Sequence, residues 1–182
     1  MPKSKSAYSS PSVKQKSDTY IFVVWVDNEA GVLARVVGLF SGRGYNIESL
    51  AVAEVDAVKN ISRITIVTTG TPQVIDQIKL QLKKLVPVHK VADFKREDKN
   101  VIFKEMALFK FVANNKKLIS ALNACRNYNP VVLDQTKKSQ VIQITALRRE
   151  IDKMSKNLKS LGLVSVSRTG AVAMTRGAEI FN

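Results

Sequence analysis

Apolar residues recur along the first half of the chain with two different periods, and the switches between them mark alternating strands and helices. Tyr20-Ile21-Phe22-Val23-Val24-Trp25-Val26 is an unbroken run of β-branched and aromatic residues, which predicts a central strand. Leu33, Val36, Val37 and Phe40 follow at i, i+3, i+4 and i+7, one face of a helix. Gly42 and Gly44 supply its stop. Residues 46–55 and 61–69 predict two more strands, the second with alternating Ile64 and Ile66. Ile75, Ile78, Leu82 and Leu85 draw a second helical stripe, and residues 88–94 a closing strand. The order βαββαβ is that of the split βαβ, or ferredoxin-like, unit.

The pattern then repeats. Leu118, Ala121, Leu122 and Cys125 have the spacing of the first stripe, and Ile151, Met154, Leu158, Leu161 and Val164 extend that of the second. The first pair of stripes is offset by 85 residues and the second by 76, so the second unit is shorter between its helices, as a trimmed hairpin would make it. Strands over 103–112, 131–133 and 141–145 fill the remaining places. The fold class expected is therefore α+β, built as two ferredoxin-like units over 19–94 and 101–182. Lys95-Arg96-Glu97-Asp98-Lys99-Asn100 is wholly polar and reads as the linker over 95–100. Residues 1–18, rich in Ser, Lys and Pro, read as a disordered basic tail.

Charge sharpens this division. The formal net charge is +14, of which residues 95–182 carry +10, residues 1–18 carry +3 and residues 19–94 only +1. Such an excess suits nucleic acid, an acidic protein partner, or nothing more than a lysine-rich genome. Phe103, Phe109 and Phe111 beside Lys104 and Lys110 partly imitate the aromatic, basic strand of RNA-recognition domains, without its Gly-aromatic pattern. That leaves a ferredoxin-like nucleic-acid-binding protein as the alternative function. No apolar run approaches the roughly 18 residues of a membrane span. One cysteine cannot form an internal disulfide and agrees with a cytoplasmic location.

Catalytic chemistry is sparse. The single histidine, His89, opens a strand where a rim residue is expected, and Cys125 occupies a core position of a helical stripe. No Cys/His spacing suits a metal, and neither a phosphate loop nor a GxGxxG fingerprint is present. The turn Asp27-Asn28-Glu29-Ala30-Gly31-Val32-Leu33 stands out instead. Asp27 or Asn28 can cap the helix without any ligand. Gly31 in a first turn weakens a helix by roughly 1 kcal/mol against Ala, which makes sense if a ligand must approach the backbone. An amino-acid carboxylate on the N–H groups of Gly31, Val32 and Leu33 would do so, with the Asn28 amide oxygen on its ammonium. Asn46 either starts a strand or reaches such a ligand from a second subunit, with Ile47 as an apolar wall.

The residues of this turn, followed by Ala34-Arg35-Val36, Gly38-Leu39-Phe40 and Arg43-Gly44-Tyr45-Asn46-Ile47-Glu48-Ser49-Leu50, closely resemble the regulatory (small) subunit of acetolactate synthase. Arg63-Ile64-Thr65-Ile66-Val67 and the closing stretch 164–177, with Arg168-Thr169-Gly170, extend the resemblance. Thr145-Ala146 departs from it, since members usually have Thr-Gly there. The resemblance implies that the first unit is an ACT domain and that the chain forms a homodimer through side-by-side ACT sheets. It implies an effector, usually valine, held at that interface by Asn28 and Gly31 of one subunit and Asn46 with Ile47 of the other. It further implies a non-catalytic chain without cofactor of its own. Its partner would be the large catalytic subunit, carrying thiamine diphosphate, magnesium and FAD. This chain would activate that partner and confer feedback inhibition by branched-chain amino acids.

Overall fold

The computed structural model describes residues 17–178. The predicted tail over 1–18 lies outside them but for its last two residues, and Asp18 already belongs to the first strand. The first unit runs β1 (Asp18–Asp27), α1 (Val32–Ser41), β2 (Ser49–Asp56), β3 (Ile61–Gly70), α2 (Pro72–Leu82) and β4 (Val88–Lys95). Its strands form one antiparallel sheet in the order β2-β3-β1-β4, so the apolar run of β1 is central, as its composition predicts.

β1 needs apolar residues at every position because both its faces are covered. Phe22, Val24 and Val26 point to the helices and pack with Val36, Phe40, Ile75 and Ile78. Ile21 and Val23 point the other way. Burying a phenylalanine such as Phe22 or Phe40 contributes roughly 1.5–3 kcal/mol. The buried face of α1 differs from the predicted stripe. Val32, Val36, Leu39 and Phe40 are inside, Val37 is half-buried, and Leu33 is 41% exposed. Val32 is the first helical residue, and turning it inward rotates Leu33 out beside the helix start.

The second unit runs β5 (Val101–Val112), α3 (Asn115–Ala124), β6 (Val131–Gln135), β7 (Ser139–Ala146), α4 (Arg148–Asn157) and β8 (Leu163–Arg168), with strand order β6-β7-β5-β8. The sheet order matches that of the first unit, and β6 is shorter than β2, as the unequal offsets of the repeat imply. Cys125 lies in the core with Phe109, Phe111 and Ile142. Ala146, the departure noted in the resemblance above, is an ordinary buried core residue of β7.

A further strand, β9 (Val172–Thr175), is absent from the sequence reading because it has four residues bounded by glycines. It pairs with Val101–Lys104, the first third of β5. Ile21, Val23 and Val67 pack there against Val101, Phe103, Ala171 and Ala173, a core shared by the two units. The polar stretch after β4 is accordingly no slack tether. The Arg96 N–H donates to the Thr19 carbonyl at 3.0 Å, and the Asn100 N–H to Asp98 Oδ1 at 2.8 Å.

Candidate functional site

The turn between β1 and α1 is braced from below. The Asp27 N–H donates to the Pro87 carbonyl at 2.9 Å, and the Asp27 carboxylate lies 2.6 Å from His89 Nε2 at the start of β4. His89 is thus a half-exposed rim residue with a structural partner. The Asn28 N–H donates to the Asn60 carbonyl at 2.7 Å, and Asn60 Nδ2 returns a bond to the Asn28 carbonyl at 3.3 Å. Asn60 reaches this position through a left-handed backbone, φ 53°, at the end of a hairpin that Asp56 Oδ1 closes by accepting from the Val58 and Lys59 N–H groups.

Neither Asp27 nor Asn28 caps α1. Gly31 does, with φ 83° and no side-chain hydrogen bond onto the first turn. A Cβ at Gly31 would meet nothing within 4 Å, so the glycine serves its left-handed backbone and the space above it is open. The other α-helices close their starts with side chains: Thr71 at α2, Asn114 at α3 and Glu150 at α4. The first turn of α1 also holds no acidic residue. The Val32 N–H donates to the Glu29 carbonyl at 3.3 Å, and the Arg35 N–H to Gly31 at 3.0 Å. Among the described residues, the N–H groups of Gly31, Leu33 and Ala34 meet no acceptor. Three such donors at the positive end of a helix are chemically suited to an anion such as a carboxylate.

The Asn28 amide is held in one orientation. Ser62 Oγ donates to Asn28 Oδ1 at 3.0 Å, and Ser62 is itself buried. This leaves Asn28 Nδ2 as the outward donor, suited to a carboxylate rather than to an ammonium. Ser62 and Asn60 are supports that no sequence spacing reveals, because they approach Asn28 across the sheet.

Asn46 and Ile47 lie elsewhere. Thr68 Oγ1 donates to the Asn46 carbonyl at 2.6 Å, whereas Asn28 is tied to Ser62. Six residues of β3 separate these anchors, about 20 Å at the rise of an extended strand. Within one chain the two groups do not meet. The Asn46 side chain is exposed, and Ile47 is half-buried against the first core.

Elsewhere the chemistry is muted. Burial pushes the Cys125 thiol up to about 11, so it is no nucleophile at neutral pH. No group of three or more metal-ligating side chains is present among the described residues. No helix there is long and apolar enough to cross a membrane. Phe109 and Phe111 are fully buried and Phe103 nearly so, which removes the aromatic platform that base stacking requires.

The family model for the AHAS small subunit-like ACT domain matches residues 22–90, and that for the small subunit of acetolactate synthase matches residues 104–177. The acetolactate synthase small subunit of Buchnera aphidicola subsp. Baizongia pistaciae is 38% identical over 160 residues, covering 85% of this chain and 96% of that protein. The acetolactate synthase small subunit of Mycobacterium bovis is 33% identical over 159 residues, with 87% and 93% covered. The crystal structure of the small subunit from Thermotoga maritima superposes with a TM-score of 0.78 at 29% identity, covering 88% of this chain and 99% of that one.

Proposed function

The chain belongs to the acetolactate synthase small-subunit family, and from that premise we propose that it activates the large catalytic subunit and makes it subject to feedback inhibition by valine or another branched-chain amino acid. The observation that carries the sensing half is the open, uncapped start of α1 at Gly31, with the Asn28 amide nitrogen beside it. In this reading the ligand carboxylate takes the N–H groups of Gly31, Leu33 and Ala34 and the Asn28 amide, and not the Val32 N–H expected from the sequence, which donates to the Glu29 carbonyl.

The rest of the site comes from a second copy. Among the described residues β2 is an edge strand, paired only with β3, which leaves its outer backbone groups available to a second copy. An antiparallel β2–β2 contact about a two-fold axis sets the start of one β2 beside the end of the other. Asn46 and Ile47 lie just before that start. The end pairs with Ser62, the residue that holds Asn28. A homodimer of this kind therefore brings Asn46 and Ile47 of the second copy to the Asn28 turn. Ile47 then walls an aliphatic side chain, and the Asn46 amide oxygen meets the ammonium.

The reaction itself belongs to the partner. We assign thiamine diphosphate, magnesium and FAD to the large subunit, none to this chain, and place the complex in the cytoplasm, free of nucleic acid. Effector binding inhibits only if it favours one arrangement of the complex over another, and a coupling of roughly 1–3 kcal/mol gives about 5–150-fold.

Calorimetric titration of the full chain with valine, beside a Gly31→Asp variant, tests the sensor. The added carboxylate would occupy the seat, so the parent should bind and the folded variant should not. A parent that binds no branched-chain amino acid, alone or with the catalytic chain, sinks the sensing half. A catalytic chain fully active by itself sinks the activating half.

A further inference from the structure

A cleft of about 840 Å³ opens between the two units, on the far side of the first sheet from α1 and α2. Its size is that of a small-molecule site. Ile21, Val67, Phe103 and Ala171 contribute an apolar floor, all of them buried in the core that the units share. Lys95, Arg96, Lys104, Arg148 and Arg149 line the rim, drawn from three separate segments of both units.

The charges are mostly unanswered. Two carboxylates, Asp18 and Glu97, also line the cleft. Asp18 is engaged by Lys95 at 3.8 Å. Arg148 donates to a neutral carbonyl, that of Glu48, and so keeps its charge. Arg96, Lys104 and Arg149 have no hydrogen-bonded or ionic side-chain partner among the described residues. Like charges gather against a low-dielectric floor only at a cost in mutual repulsion, and a bound anion would relieve it.

We propose that this inter-unit cleft is a second ligand site, distinct from the α1 turn, for a small organic phosphate whose anionic group meets Arg96, Lys104 and Arg149 and whose apolar part lies on Ile21, Val67 and Phe103. Arginine suits the anionic end because its planar fork binds phosphate oxygens in pairs. Because the walls belong to both units, a ligand here would bear on their relative placement. The site does not depend on the amino-acid sensing proposed above.

The test is a titration of the full chain at physiological salt with 2-naphthyl phosphate, 2-naphthol and inorganic phosphate. The phosphate ester should bind more tightly than either fragment. An Arg96→Glu/Arg149→Glu variant should bind it at least roughly tenfold more weakly, the loss of charge-assisted bonds. A Lys116→Glu/Lys117→Glu variant on exposed positions of α3 makes the same change of charge and should bind as the parent does. Unchanged thermal midpoints and valine titrations would show both variants folded. Equal weakening in the two variants would mean a diffuse charge effect and overturn the site. So would failure of all three probes at millimolar concentration. Arg96→Glu/Arg149→Glu chains that keep the ester but lose the catalytic subunit would make the cleft a protein-docking surface instead.

Discussion

Both terminal guanidinium nitrogens of Arg148 lie 3.1 Å from the carbonyl oxygen of Glu48. Arg148 is the first residue of α4, and Glu48 directly follows Asn46 and Ile47. The segment that would complete a neighbour's effector site is therefore clamped to the second unit of its own chain. A second tie follows at once, the Ala171 N–H donating to Ser49 Oγ at 3.4 Å. Effector binding as proposed for the first unit would thus have a short mechanical route to the second.

Arg148→Met keeps the aliphatic stem and removes the clamp. It should leave valine affinity within about twofold, since the Arg148 guanidinium holds a backbone carbonyl and touches none of the proposed ligand groups, while weakening the inhibition of the assembled enzyme severalfold. Valine titration beside an inhibition curve on the complex separates the two. Inhibition unchanged in a variant of parental stability would show that the clamp carries no coupling.

Ser62→Ala releases Asn28 Oδ1 without touching any ligand group. The lost bond costs roughly 1 kcal/mol of stability, and the freed amide must be reordered on binding. Valine affinity should fall about three- to tenfold with the thermal midpoint lowered by a few degrees. Calorimetry and a melting curve measure both, and an unchanged affinity would remove Asn28 from the site.

Gly170→Ala addresses the seam itself. Gly170 has φ 81°, and a Cβ there would stand 2.8 Å from Ser49 Oγ and 3.1 Å from the Leu50 carbonyl oxygen. Left-handed backbone costs a non-glycine residue about 1–2 kcal/mol, and the backbone contact cannot swing aside. The variant should melt several degrees lower, and the added Ser49→Ala change should recover only part of that loss.

Cys125 gives a pH signature. Its thiol is held near 11 by burial against an ordinary value of 9.0. A raised value means that the neutral form is favoured in the fold. Its contribution is complete below about pH 9 and is lost as the pH climbs to about 11. A maleimide should therefore label the folded chain slowly at pH 8 and the unfolded chain fast. Equal rates would contradict the packing of Cys125 beside Phe109 and Leu118.

Periodicity and turn residues made both βαββαβ units legible, because each strand and helix draws its pattern from the core it faces. What stayed hidden was set by contacts distant in sequence. Leu33 looked like a core residue until Val32 took the inward place at the helix start. Gly31 looked like a concession to a ligand, whereas its positive φ requires glycine with or without one. Ser62, Asn60 and Arg148 act on residues 34, 32 and 100 positions away, and no local pattern announces such a bond.

Glu105 is the last such case. It lies on the inward face of β5 between Phe103, which serves the shared core, and Ala107, which serves the core of the second unit. The carboxylate is buried at the junction, with both oxygens on Arg168 at 2.8 and 2.6 Å. Arg168 also reaches Asp152 on α4 at 2.6 Å. The bond to Glu105 is the chief cause that holds the Arg168 pKa above the ordinary arginine value, so this group stays charged at any working pH. Arg168→Met should then strand a buried anion and cost roughly 3–5 kcal/mol at neutral pH. Adding Glu105→Gln to Arg168→Met removes the stranded charge and should recover much of the loss at pH 7. Denaturant melts of the parent and both variants decide it. A double variant no more stable than Arg168→Met alone would assign the cost to lost packing rather than to charge.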